Sequence, residues 1–160
     1  MSGTTGYQGE GVTETERYLS RLCRRTFLSL WSYSSIFRDQ GRANGRGDGK
    51  EICDLLVVFD NHIIIFSDKS CEFKNSGNLI VDWSRWYKKS ILKSAEQVFG
   101  AERWLRDFPD HVFLDRGCTL RFPLEIPAIA DARIHRVVVC HGAEARAGCT
   151  GVVRDAILCG

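Results

Sequence analysis

The apolar positions of the chain fall into blocks of two different periods. Between residues 13 and 37, Tyr18, Leu19, Leu22, Cys23, Thr26, Phe27, Leu30 and Trp31 recur at three- and four-residue steps. That spacing predicts one amphipathic helix over the whole stretch. Thr13 is its expected N-cap, and Glu16, three residues later, occupies the capping-box position. Two short β-branched runs follow, at 52–59 and 62–67, joined by Asp60-Asn61. They predict an antiparallel hairpin. Its nearly unbroken hydrophobicity predicts cover on both faces, hence a central place in a sheet.

A second long helix is predicted over 83–106, where Tyr87, Ile91, Ala95, Val98, Glu102 and Leu105 keep helical steps before Pro109. The segments 112–114, 120–122 and 134–140 are further strand candidates. The expected order is helix, hairpin, helix, strand, an α/β (α+β) layered domain. Residues 1–12 read as a flexible N-terminus, 13–142 as the domain and 143–160 as an irregular tail.

Length agrees with one domain, since 160 residues fall within the usual range. Lys plus Arg number 22 and Asp plus Glu 20, a net charge of +2, which excludes a polybasic, histone-like chain. Any basic surface is therefore a local patch. No apolar run approaches the ~18 residues of a membrane span. The N-terminus lacks the charged-then-apolar order of a signal peptide, so a cytoplasmic protein without a membrane partner is expected. Seven cysteines, an odd number without a C-x-x-C pair, argue against a disulfide framework. Cys23, Cys53 and Cys140 read instead as small buried side chains. Cys140-His141 with Cys149 and Cys159 matches no common zinc spacing. The glycine-rich loop 40–49 fails as a phosphate-binding loop, with Asn44 and Glu51 where Gly and Ser/Thr are needed.

The chemistry concentrates in the hairpin. Asp54 is the sole acid inside the first apolar strand, and Lys69 leaves the second. Charges at the ends of buried strands are costly unless paired or bound to a metal. Hairpin pairing lets the two approach at the open end of the sheet. An acid that holds Mg²⁺ beside a lysine that orients water or stabilises charge suffices for phosphodiester hydrolysis.

These residues and this element order resemble the PD-(D/E)XK nuclease superfamily, over roughly residues 13–140; the stretch 83–105 is also similar to that of bacterial nuclease-like proteins. The resemblance implies a restriction-endonuclease-like three-layer core, a mixed central sheet flanked by helices. It implies a nuclease acting on DNA with Mg²⁺ or Mn²⁺, in bacterial defence or mobile-element biology. Asp54 matches the first acid of the motif and Lys69 its lysine. Glu16, or Glu14, resembles the helical glutamate that many members place near the metal. Lys89, Lys93 and Gln97 resemble residues directed at the substrate backbone.

One position departs from the motif. Ser67 stands where the family has Asp or Glu, and the acid has moved to Asp68, which strand alternation turns to the opposite face. Either a bulge at Ser67-Asp68 swings Asp68 back to the metal, or Glu51 or Glu16 substitutes, or the site is inactive. Plainer readings stand beside each choice: Asp54 as a strand-end cap, Lys69 as the first solvated residue, Glu16 as a capping-box residue only. Lys88, Lys89 and Lys93 with Arg85 also fit the wet face of an amphipathic helix. With Arg21, Arg24, Arg25, Arg42 and Arg46 they could instead form a phosphate-tracking patch. Two alternatives to the nuclease remain: an inactive nuclease-like domain binding nucleic acid or a protein partner, and a plain partner-binding domain. The tail lacks a final helix, so a homodimer completing the sheet edge is a further expectation.

Overall fold

The computed structural model describes residues 11–26, 31–40, 48–128, 130–143 and 158–159. Helix α1, Glu14–Thr26, is followed by strands β1, Ser32–Arg38, β2, Lys50–Phe59, and β3, His62–Ser70. Helix α2, Leu79–Tyr87, runs through a π-helical turn, Lys88–Leu92, into α3, Lys93–Asp107. Strand β4, Arg133–His141, and a two-residue β5, Leu158–Cys159, complete the sheet.

The sheet has the order β1-β2-β3-β4-β5. The first three strands form an antiparallel meander, β4 runs parallel to β3, and β5 is antiparallel to β4. β2 and β3 meet through the expected two-residue turn, with Phe59 paired to His62. Asp60 takes φ 51 there, the left-handed region that Asp tolerates better than most side chains. The parallel return from β3 to β4 needs a long crossover, and the α2–α3 helix supplies it.

Side-chain alternation divides the core into two layers. Leu56, Val58, Ile63, Ile65 and Val138 pack against Val98, Ala101, Trp104 and Leu105 of α3. On the other face Leu55, Val57, Phe66 and Val137 pack against Leu19 and Cys23 of α1. The molecule is therefore an α+β domain, a mixed sheet between helical layers, with the predicted hairpin at its centre. Cys23 and Cys53 are buried as expected, Cys140 partly so.

The expected helix over 13–37 is corrected. Among the described residues of that stretch, Glu14–Thr26 is helical and Ser32–Arg38 is a strand. The β2 backbone needs a hydrogen-bonding neighbour on its outer side, and Ser32, Tyr33 and Ser34 are all buried in providing it. The second helix begins at Leu79, four residues before the expected start. Asn78 caps it, its side-chain oxygen accepting the Val81 N–H. Segments 112–114 and 120–122 form only isolated bridges, Phe113 to Phe37 and to Arg121. The tail is not wholly irregular, because Leu158 and Cys159 pair with Val138 and Val137. That contact occupies part of the β4 edge from within the chain. No helix among the described residues is long and apolar enough to cross a membrane.

Candidate active site

Three backbone irregularities bracket Asp54. In β1, Ser35 lies opposite it with φ 56, a conformation that L side chains rarely adopt. The β1–β2 register then shifts between Ile36 and Phe37, leaving Ile52 as an extra residue in β2. On the other side, the β2–β3 pairing stops at Leu55–Phe66. Where the next ladder bond would form, the N–H of Asp68 donates to Asp54 Oδ2 at 2.6 Å. The carboxylate thus sits between two separating strands. Such strained or bulged backbone recurs where a side chain must be re-aimed.

Beyond Phe66, β3 continues without a bulge. Ser67, Asp68 and Lys69 pair in unbroken parallel register with Val138, Val139 and Cys140. The bulge at Ser67-Asp68, one of the three alternatives, is therefore absent, and alternation holds. Ser67 is fully buried toward α3, where its hydroxyl donates to Gln97 Oε1 at 3.1 Å. Asp68 turns to the α1 face instead, toward Thr15, and lies 3.0 Å from Nε2 of His141. It is not swung back beside Lys69. Its parallel neighbour β4 holds the strand straight through this stretch.

Between α3 and the open ends of β1, β2 and β3 lies a cleft of about 860 Å³. Lys69, Lys93, Gln97 and Glu51 line it. Lys89 does not. The π-helical turn at Lys88–Leu92 inserts one extra residue into the helix, so Lys89 and Lys93 leave the common face expected of them. Arg42 and Arg46 fall outside the described residues, as does the side chain of Arg24.

Glu16 fulfils the capping box. Its Oε2 accepts the N–H groups of Val12 and Thr13 at 2.7 and 3.2 Å, and its own N–H donates to Thr13 Oγ1 at 3.2 Å. Its charge nevertheless reaches the strand acids. Burial pushes Asp54 up to about 6, with Glu16 and Asp68 adding to the rise and the Asp68 N–H opposing it. Glu51 rises to about 7, through burial first and then Asp54 and Glu16, while Arg116 and Lys69 pull the other way. Asp68 is raised by burial, with His141 and Thr15 opposing.

Carboxylates crowded in this way suit a hard divalent cation, which takes oxygen ligands and favours their charged form. Among the described residues, no three His, Cys, Asp or Glu side chains converge tightly enough to hold a metal alone. Asp54 and Glu51 fit as a partial set, since magnesium usually keeps several waters and takes one or two protein carboxylates. Glu51 is the acid that strand alternation alone did not single out. The extra residue at Ile52 sets its direction, and a bulge has no plain signature in sequence. Comparison with family models, with curated proteins and with solved structures found no match to this chain.

Proposed function

We propose that this chain is a metal-dependent nuclease with a restriction-endonuclease-like core, hydrolysing phosphodiester bonds of DNA in the cytoplasm. The observation that carries the reading is the placement of Asp54 and Glu51 at the splayed end of β2, close enough for Asp54 to raise the charge cost of Glu51, with Glu51 and Lys69 on one cleft wall. The order of helix, meander, helix and parallel strand supports it as well.

Asp54 and Glu51 would hold the cation. When bound, Mg²⁺ or Mn²⁺ supplies Lewis-acid polarisation of the phosphate and a more acidic water. Lys69, at the cleft wall, offers N–H donors to the attacking water or to a non-bridging phosphate oxygen, where negative charge grows in the transition state. Gln97 bonds Ser67 through Oε1, which leaves its amide NH₂ for a phosphate oxygen. Lys93 adds positive charge along the same wall.

A second reading is favoured by one specific contact. Ser67 occupies the position of the second motif acid and is satisfied internally by Gln97. A chain that had lost cleavage and kept binding would have this arrangement. Nicking of supercoiled plasmid with Mg²⁺ or Mn²⁺ tests the two. Metal-dependent nicking that disappears in Lys69→Ala supports the nuclease. Plasmid binding without nicking in the wild type supports the binder.

A further inference from the structure

The cleft carries more positive charge than hydrolysis by Lys69 requires. Arg38, Lys50 and Lys93 all line it. None of the three is in an ion pair among the described residues, although Glu96 and Asp107 line the same wall. Arg38 is the most constrained. Its guanidinium carbon lies 4.9 Å from the ring centroid of Trp104, and its buried Nε has no acceptor. A buried donor without a partner is rare and costly, and a small shift of this side chain toward an anion in the cleft would satisfy it.

An aromatic surface adjoins this cation. Trp104 is fixed by its indole N–H, which donates to the His111 carbonyl at 2.9 Å. Phe108 packs beside it, with ring centroids 4.5 Å apart and planes tilted by 35°. Phe108 is held at the end of α3 by its N–H bond to the Trp104 carbonyl, yet 47% of its surface is exposed and it lines the cleft. Lysines alone would attract any polyanion. An arginine on one aromatic ring with a second ring open beside it suits a flat, π-faced group joined to a phosphate.

We propose that this cleft binds an unpaired stretch of nucleic acid, its backbone phosphate on Arg38 with Lys50 and Lys93, and one base against Phe108. In a duplex both faces of each base are already stacked, so only a single strand, a frayed end or an extruded nucleotide can offer a face to that ring. The inference rests on the nuclease reading in that it names the substrate class of the same cleft.

Fluorescence anisotropy of the full chain in EDTA, with labelled oligothymidylate against a blunt hairpin duplex, tests it. The single strand is expected to bind about tenfold or more tightly than the duplex. Phe108→Ala should weaken single-strand binding by about tenfold, while Phe108→Leu, which keeps the packing on Trp104, controls for folding by its melting temperature and should also bind weakly. Arg38→Ala should weaken binding and reduce the slope of log K against log salt by about 0.7. An oligouridylate probe reads the choice between DNA and RNA within the same proposal. Equal affinity for hairpin and single strand, indifference to Phe108, or equal competition by inorganic polyphosphate overturns the inference. Failure of the two readings is separable. Phe108-dependent strand binding with no metal-dependent cleavage of either plasmid or single-stranded oligonucleotide sinks the nuclease alone, and duplex nicking indifferent to Phe108→Ala sinks the single-strand inference alone.

Discussion

The N–H of Asp68 donates to the carboxylate of Asp54 at 2.6 Å, where the β2–β3 ladder would otherwise continue. Asp54 therefore has a structural duty as well as a chemical one, and two substitutions separate them. Asp54→Ala removes the acceptor of a buried N–H and is expected to cost about 1–3 kcal/mol of stability. Asp54→Asn keeps an acceptor and should stay within about 1 kcal/mol of the wild type, yet lose metal-dependent nicking. Urea denaturation with a plasmid assay reads both. An Asn variant as unstable as the Ala variant would deny the hydrogen bond its role.

The raised acids set the direction of the pH dependence. Asp54 moves from 3.8 to about 6, so the folded chain holds this proton more tightly than the unfolded chain. Its contribution to stability is greatest below about pH 4 and is lost as pH rises through about 6, at most about 3 kcal/mol in all. Glu51 acts in the same sense and carries the decline toward pH 7. A cation that binds the charged carboxylates must therefore raise the melting temperature more at pH 8 than at pH 5. Melting curves with and without Mg²⁺ decide it, and an increment independent of pH would contradict this account.

Ser67 offers a gain-of-ligand experiment. Ser67→Asp places a third carboxylate at the motif position and removes the donor to Gln97 Oε1. Without metal the variant should lose about 2–4 kcal/mol, because a buried charge is added and a hydrogen bond deleted. Mg²⁺ should restore much of that loss, and more of it than for the wild type. Thermal shift against Mg²⁺ concentration measures both. An equal Mg²⁺ response in the two proteins would mean that position 67 does not face the cation.

Asp68 and His141 form a separate polar pair on the α1 face. The carboxylate is 1% exposed and the imidazole 29%. His141→Ala leaves that buried carboxylate without its imidazole partner and is expected to cost about 1–3 kcal/mol at pH 7. The cost should shrink as pH falls, since burial raises Asp68 and favours its protonated, uncharged form. Asp68→Asn should keep nicking activity, because the side chain faces away from the cleft. Loss of nicking in Asp68→Asn without loss of stability would return Asp68 to the metal site.

Glu16 joins helix capping to site electrostatics. Glu16→Ala breaks the two bonds from Val12 and Thr13 and should cost about 1 kcal/mol. Glu16→Gln keeps the box and removes one of the charges that raise Asp54 and Glu51. The stability-against-pH midpoint of the Gln variant is accordingly expected below that of the wild type. Identical midpoints would show that its charge does not reach the strand acids.

Much of the fold was legible in local pattern. The β-branched runs around Asp60-Asn61, the apolar spacing of Val98 and Leu105, and the Thr13–Glu16 capping box are short-range signals, and each element formed where its signal lay. Asp54 and Lys69 were legible for the same reason, as charges at the ends of runs that had to be buried. Three features depended on partners distant in sequence. Ser32–Arg38 became a strand because β2 required a hydrogen-bonding neighbour, although its apolar spacing prolonged that of α1. Asp68 stayed on the α1 face because unbroken pairing with β4 kept β3 straight. Glu51 reached the cleft through an extra residue in β2, set against its pairing with β1. Periodicity along the chain determines which faces are apolar. Only the assembled sheet decides which strand slips by one residue, and one residue is enough to change the acid that faces the cleft.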